Sequence, residues 1–376
     1  MPSRPQVPVL DDGLVRLRGH TDDDIDATVE MCRDPEFARW TTVPQPYTRD
    51  HAKTFVRDIV ATGWERGDFR GWAIEARDET GHPRYAGNVD VRGLPVADIG
   101  FGLHPWARGR GVMTRAVRLA AAWAFEQGDV AAIHWRSDVG NLASRRVAWA
   151  CGFTFHGTVP RLLAERGEVV DAWIGSLLPG QEMTPRTRWL QPPVLRGERV
   201  ILRPFRDTDA PRVVEACSDP RSRRWLPCLP FPYTEADART YLLGQEVSQS
   251  VEASVTWCVA DPETDELLAN VAVMDLGGPD RLAGEVGYWT HPDARGRGVM
   301  REAVRLVAGH AFTPTEQGGL GLCRLTLGSA DGNTASQHVA RQAGFVEVGR
   351  HRSAQPLEDG TRVDAVWFDL LATDPQ

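Results

Sequence analysis

The sequence predicts an α/β (α+β) chain made of two tandem copies of one domain, each a central mixed twisted sheet flanked by helices. Three observations lead there. Residues 104–119, HPWARGRGVMTRAVRL, return at 291–306 as HPDARGRGVMREAVRL, with thirteen of sixteen positions identical at an offset of 187. Shorter pieces recur in the same order: DPEFARW with DPRSRRW, Pro46-Tyr47-Thr48 with Pro232-Tyr233-Thr234, NLASRRVAWACGF with NTASQHVARQAGF, and DAWIGSLL with DAVWFDLL. Their offset drifts only from 185 to 193, so insertions fall in loops. The repeating unit, about 170 residues, is a whole domain rather than a solenoid repeat. The chain length of 376 residues agrees, because a domain takes roughly 150.

The elements follow in order. Each copy opens with a strand, Leu14 to Leu17 and Val200 to Leu202. An acidic helix start comes next, at Thr21-Asp22-Asp23-Asp24 and Asp207-Thr208-Asp209, where Thr or Asp caps the first amides. A Trp- and Pro-rich loop leads to a second helix around 51–62 or 235–246. Strand-like runs follow at 71–76, 84–91 and 98–103, and at 255–260, 269–275 and 285–290. They are short, rich in apolar and aromatic residues, and the last of each set is stopped by a proline. After a glycine-rich turn, Val112, Ala116, Val117, Leu119, Ala120 and Trp123 recur at helical spacing. A strand at 131–136 or 323–327, a short helix ending at Gly152 or Gly344, and two closing strands complete the copy. This order gives one domain over 1–178 and another over 196–376. Between them, 179–195 reads as a linker, because PGQEMTPRTRWLQPP carries Pro and Gly breaks without periodicity.

Composition narrows the function. Lys+Arg 43 against Asp+Glu 51 gives a net charge of −8, which argues against a dedicated nucleic-acid binder. No apolar run approaches the roughly 18 residues of a membrane span, and the N-terminal residues lack the apolar core of a secretion signal. The six cysteines are scattered, with no CxxC pair and no histidine at zinc spacing. These features give the expectation of a cytoplasmic protein with reduced thiols, no metal and no membrane partner.

The turn ARGRGVM joins a strand end to a helix N-terminus in both copies. That geometry offers unpaired amides and the positive end of the helix dipole to an anion. Gly109, Gly111, Gly296 and Gly298 let backbone approach a phosphate, and Arg108, Arg110, Arg295 and Arg297 add charge. A purely structural turn is the competing reading, weakened by its near-identity in two diverged copies. There is no Walker GK[ST] run and no GxGxxG fingerprint.

At these residues the chain resembles the GNAT superfamily of N-acetyltransferases. The acyl-CoA pyrophosphate loop of that family runs Gln or Arg, two residues, Gly, one residue, then Gly or Ala. Arg108 and Gly111, like Arg295 and Gly298, match it, whereas Met113 and Met300 stand where the family has Gly or Ala. The elements Asn141, Ser144, Gly152, Phe153 and Asn333, Ser336, Gly344, Phe345, with the closing D…LL strand, are similar to the ribosomal-protein N-terminal (Rim-type) branch. The resemblance spans nearly all of both copies. It implies acetyl-CoA (or another acyl-CoA) held by residues 108–113, including Val112, and 295–300, including Val299, with Asn141 and Asn333 on the pantetheine arm. The competing reading of both asparagines is a turn residue.

The implied reaction moves acetyl from the thioester to a primary amine by direct transfer in a ternary complex. The amine belongs to a protein N-terminus or a small molecule. Such a reaction needs a base for the amine proton, amide donors for the thioester oxygen, and an acid for the leaving thiolate. The base candidates are Glu285 and its shorter counterpart Asp98, on the strand before the loop. Neither copy has a tyrosine beside the short helix, so Ser144 and Ser336 stand in as acid candidates, with a helix-start cap as the competing role. Trp40, Tyr47, Trp225 and Tyr233 are the candidate acceptor-pocket residues, with core packing as the alternative. His104 and His291 read as strand-end structure. Two further readings stay open: a non-catalytic acyl-CoA sensor, and a transferase using another acyl donor. The paired copies lead us to expect a monomer with pseudo-dimeric domains.

Overall fold

The duplicated sequence folds twice. In the computed structural model, which describes residues 7–375, the chain parts into the units Met1–Arg186 and Thr187–Gln376. Each unit builds its own eight-stranded sheet.

In the first unit, β1 (Leu10–Asp11) and β2 (Val15–Arg18) lead to α1 (Ile25–Arg33) and the short α2 (Pro35–Arg39). The second helical region is longer than the sequence pattern suggests. It runs through α3 (Arg49–Thr54), a π-helical stretch (Phe55–Ile59) and α4 (Val60–Arg66), started by a Thr48 cap and stopped by left-handed Gly67. Three antiparallel strands follow, β3 (Phe69–Arg77), β4 (Pro83–Arg92) and β5 (Val96–Leu103). Helix α5 (Val112–Glu126) then carries the chain to β6 (Ala132–Asp138), which lies parallel to β5. Helix α6 (Leu142–Ala150) and the hairpin β7 (Thr154–Glu165) and β8 (Glu168–Leu177) close the unit, giving the strand order β1-β2-β3-β4-β5-β6-β8-β7.

The second unit repeats this plan. It runs β9 (Leu195–Arg196), β10 (Ile201–Arg203), α7 (Ala210–Ser218), α8 (Pro220–Trp225) and α9 (Glu235–Ser250). Then come β11 (Val255–Ala260), β12 (Leu267–Met274), β13 (Ala283–Thr290) and α10 (Val299–Phe312). It ends with β14 (Arg324–Ala330), α11 (Thr334–Gln342), β15 (Val346–Pro356) and β16 (Arg362–Leu371).

Helices cover both faces of each sheet, which is why β11, VTWCVA, is buried at every residue. On one face of the second sheet, Val299, Met300, Ala303, Val304 and Val307 of α10 pack on Val271, Val273, Val286, Leu325 and Leu327. On the other, Val213, Cys217 and Leu242 meet Cys258 and Ala260. Each such fully buried aliphatic side chain contributes about 1.5–3 kcal/mol.

The last aspartate of each acidic helix start is an interior fastener, while Asp22, Asp23 and Asp207 stay exposed. Asp24 is 2% exposed and accepts two 2.8 Å bonds from Arg18, and Asp209 accepts bonds of 2.8 and 2.9 Å from Arg203. They tie the first strand to the first helix and offer no surface charge to a ligand. The proline-rich segment also has packing partners within each unit. A Cβ on Gly152 would stand 2.6 Å from the Glu182 carbonyl and 2.8 Å from that of Thr184. Farther on, the Leu190 amide donates to the Gln249 carbonyl at 3.0 Å.

Candidate active site

Both sheets fork at the same place. β5 and β6 pair over Val96–Ile99 and Ala132–Trp135 only, although β5 continues to Leu103 and β6 to Asp138. β13 and β14 pair from Ala283 to Glu285 and Arg324 to Thr326, then separate for the rest of their length. A strand that loses its neighbour turns the amide and carbonyl of alternate residues into the gap, and those groups require a partner. Each unit thus opens a wedge in the middle of its sheet, lined by backbone donors and acceptors.

The glycine-rich loop lies at the end of the forked strand. Gly109, Gly111, Gly296 and Gly298 have φ of +73°, +72°, +72° and +75°, the left-handed region that only glycine enters without strain. An added Cβ would meet nothing within 4 Å at Gly109, Gly111 or Gly296, so conformation rather than crowding requires the glycines. Gly111 and Gly298 are the N-cap positions of α5 and α10, and neither helix has a side-chain cap. The amides that begin with Val112 and Val299 are therefore open to an anion, with the helix dipole behind them. This cradle fits the diphosphate of an acyl-CoA. Met113 and Met300 are 4% and 5% exposed and point into the core, so they do not fill the loop.

The loop arginines divide. Arg108 donates to Asp34 and, at 3.3 Å, to the Leu103 carbonyl. Arg295 donates to Asp219 and, at 2.8 Å, to Ser222 Oγ. Those two aspartates also cap α2 and α8. Arg108 and Arg295 are therefore loop fasteners, each ion-paired to the aspartate that caps the neighbouring short helix. Arg110 donates to the Arg77 carbonyl at 3.0 Å, and Arg297 is exposed.

Glu285 sits at the vertex of the second fork, the last residue of β13 paired with β14. Burial pushes its carboxyl up, the Asp275 charge adds to this, and a hydrogen bond from the Gly328 amide opposes it. Its counterpart Asp98 is held by Arg136 in an ion pair. The first fork carries a second carboxyl that the sequence pattern does not single out. Asp90 on β4 is 7% exposed and opposes Gly100, the first residue of β5 beyond the fork. Burial pushes its carboxyl to about 6, with Arg92 opposing and Asp98 adding to the shift.

The serines and asparagines are engaged locally. Asn141 and Asn333 cap α6 and α11 by accepting from the Ser144 and Ser336 amides at 3.1 and 3.2 Å. Their side-chain oxygens are used there, as the turn reading expects. Ser144 Oγ accepts from Trp135 Nε1 at 2.9 Å. Ser336 Oγ instead lies 3.1 Å from the hydroxyl of Tyr288, which projects from β13. Tyr288 is the residue that sequence reasoning misses, because it reaches the short helix from a strand 48 positions away.

The aromatic expectation is half corrected. Tyr47 and Tyr233 are 4% and 7% exposed, packed beside Cys32 and Cys217 in the core. Trp40 is partly exposed, bonded to Glu36 and stacked under Arg39. Trp225 lies against the β14–α11 turn, 3.9 Å from the position of a Cβ on Gly332, and so borders the second fork. Trp367 also lines that fork, its ring 3.2–3.4 Å from the position of a Cβ on Gly328. His104 and His291 are buried strand-end anchors, with His291 bonded to Glu215 at 3.0 Å and Asp293 at 2.7 Å.

Among the described residues, no group of three or more His, Cys, Asp or Glu is placed to hold a metal, and no helix is long and apolar enough to cross a membrane. The Bacillus subtilis protein named "Putative ribosomal N-acetyltransferase YdaF" is 25% identical over 182 residues, 46% of this chain and 92% of the relative. A second Bacillus subtilis protein, named "Probable N-acetyltransferase YjcK", is 26% identical over 183 residues, 47% of this chain and 93% of the relative. The solved structure of Mycobacterium smegmatis RimJ in complex with CoA-disulfide is 19% identical, with a TM-score of 0.43 over 48% of this chain and 88% of that one. The family model described as acetyltransferase (GNAT) domain matches twice, over residues 15–154 and again over 199–346. With both forks inside those spans, the chain belongs to the GNAT acetyltransferase family as a tandem pair of its domains.

Proposed function

We propose that the second unit transfers acetyl from acetyl-CoA to a primary amine by direct attack in a ternary complex. The single observation that carries this is Glu285 at the vertex of the fork, on the strand that leads into the glycine-rich loop and the uncapped N-terminus of α10. Bound acetyl-CoA supplies the activated acyl group and a thiolate leaving group. The α10 amides and the Gly296–Gly298 turn hold the diphosphate, and the fork-facing backbone groups of 286–290 hold the pantetheine arm and polarise the thioester oxygen. Glu285, with its carboxyl raised by burial, accepts the amine proton. Tyr288, pushed up to about 12, keeps its proton at neutral pH and donates toward the departing sulfur, with Ser336 orienting it.

The acceptor is a protein N-terminus in this reading. The printed name of the YdaF relative, a ribosomal N-acetyltransferase, supports it. So does the fork's wall of Met274, Trp225 and Trp367, which suits a peptide end better than a small polycation. The test is calorimetric titration of the full chain with acetyl-CoA, followed by mass spectrometry of a panel of free-N-terminal peptides. Acetylated peptide, lost on Glu285→Gln, supports the reading. Tight binding with no transfer to any peptide or small amine overturns it in favour of a sensor. Faster turnover with succinyl-CoA or malonyl-CoA overturns the choice of donor.

A further inference from the structure

The two forks carry different charges, and strand register shows where. In the first unit Asp90 opposes Gly100, Arg92 opposes Asp98, and Arg136 stands two residues beyond His134, the partner of Asp98 on β6. Cross-strand partners share a face, as do residues two apart on one strand. Asp90, Arg92, Asp98 and Arg136 therefore share the sheet face that α1 covers. The same four positions in the second unit hold Ala272, Met274, Glu285 and Gly328. Two carboxylates and two guanidiniums meet at the first fork, whereas Glu285 alone is charged among its counterparts at the second.

In the first unit both carboxylates are already paired. Arg92 Nε lies 2.7 Å from Asp90 Oδ1, and Arg136 reaches across the fork to Asp98. Arg92 also covers the open strand. Gly100 is the first residue of β5 beyond the stretch paired with β6, and a Cβ built on it would fall on the Arg92 guanidinium. A guanidinium stays charged throughout the working pH range. An incoming ammonium therefore meets two fixed cations where it needs a free carboxylate. Taking either carboxylate would leave an arginine without its partner.

The second fork is the reverse. Among the described residues, none forms an ion pair with Glu285. Its carboxylate accepts from the Gly328 amide, and the Asp275 charge that acts on it is also negative. The cover over Gly287 is the Met274 methyl, 2.6 Å from the position of a Cβ, which is apolar and flexible. The cofactor ends of the two units do not differ in this way. Gly109 and Gly111 keep the left-handed φ of Gly296 and Gly298, and α5 has the same uncapped start as α10.

We infer that the first unit is an acyl-CoA-binding module that does not transfer its acyl group, because Arg92 and Arg136 stand where the acceptor amine would. The chain thus holds two acyl-CoA molecules and consumes one. The inference rests on the acetyl-transfer reading of the second unit.

The test uses the full chain, acetyl-CoA as donor, and peptides with free N-termini as acceptors. Glu285→Gln with Gly298→Glu silences the second unit. We expect that chain to bind one acetyl-CoA by calorimetry and to transfer about 100-fold more slowly than the parent, or slower still. A silenced chain that binds none overturns the inference. So does faster residual transfer that disappears when Gly111→Glu is added. Residual transfer that survives Gly111→Glu belongs to the second unit, so it keeps the inference and overturns the role of Glu285 instead.

The arginines are tested by copying the second fork into the silenced chain. Asp98→Glu with Phe101→Tyr supplies its base and its acid, and transfer should stay at the silenced level. Adding Asp90→Ala, Arg92→Met and Arg136→Gly should raise transfer at least tenfold, with acetyl-CoA affinity within threefold. A rise before the arginines are removed overturns the inference, as does no rise after. If the five substitutions together cost acetyl-CoA binding, Arg136→Gly added alone carries the same comparison, because it frees position 98 and leaves the buried Asp90–Arg92 pair intact.

Discussion

The hydroxyl of Tyr288 lies 3.1 Å from Ser336 Oγ and 3.1 Å from the Ser336 carbonyl, linking β13 to α11 across the second fork. The aligned residue in the first unit is Phe101, and its serine, Ser144, takes its hydrogen bond from Trp135 instead. An ionisable hydroxyl is therefore present at one fork and absent from the other. Tyr288→Phe keeps the ring and removes the proton donor. We expect it to lower kcat of the second unit by about 10²-fold, the lower end of the range for a lost acid–base group. The Kd for acetyl-CoA should move less than threefold, because the diphosphate cradle is untouched. Steady-state kinetics beside calorimetry checks both, and an unchanged kcat would remove Tyr288 from the mechanism.

Gly111 and Gly298 sit at φ +72° and +75°, each directly before an uncapped helix. Glu at either position adds roughly 1–2 kcal/mol of backbone strain and sets a carboxylate against the incoming diphosphate. We expect Gly111→Glu and Gly298→Glu each to remove one acetyl-CoA site from the chain. Titration of the two single variants and the double variant reads the stoichiometry directly. A variant that keeps both sites would show that the loop amides are not the anchor.

Much of the fold is legible in the sequence, because the duplication doubles every signal. A weak strand pattern such as GEVGYWT becomes convincing when ADIGFGL stands in register with it. The cofactor loop is legible for the same reason. What stays hidden is set by long-range pairing. The fork exists because β5 and β6, separated by a whole helix, pair for only part of their length, and no local pattern encodes where two parallel strands part. The Arg108–Asp34 pair joins residues 74 apart, so a loop arginine reads as a phosphate ligand until its partner is seen. Tyr47 and Tyr233 look like pocket aromatics beside a proline, yet each meets a cysteine in the core, of α1 and α7 respectively. Asp90 is hidden because its counterpart, Ala272, breaks the repeat that guides the rest of the reading.

Glu285 gives the second unit its pH dependence. Burial and the Asp275 charge both raise its carboxyl above the ordinary value of 4.5, and the base works only when deprotonated. The rate should therefore fall as pH drops through that raised value, with the acid limb above pH 4.5. Asp275→Asn removes the like charge, so the limb should move to lower pH. Asp275 holds a φ of +60°, a conformation asparagine tolerates well. Glu285→Gln should remove the limb and lower kcat by about 10²–10⁴. A limb that ignores Asp275→Asn would place the titration on another group.

His20 sets a separate pH response, in stability. Its ring nitrogens are buried and the ring lies beside Phe55, centroids 5.3 Å apart, where the aligned residue of the second unit is Phe205, edge-on to Tyr241 at 6.2 Å. Desolvation pushes the His20 imidazole down to about 4 from 6.5, and the Asp24 carboxylate only partly offsets this. The unfolded chain therefore binds a proton that the folded chain refuses between those two values. The contribution of neutral His20 is intact above pH 6.5 and is lost as pH falls toward 4. At 1.36 kcal/mol per unit the loss reaches about 3 kcal/mol at the acid end. His20→Phe places the ring of the second unit at this position without a titrating group. Its Tm should stay close to the parent value at pH 7.5 and exceed it by several degrees at pH 4.5. Denaturant melts across that range measure the same difference as free energy, and parallel curves for parent and variant would mean that His20 is protonated in the folded chain.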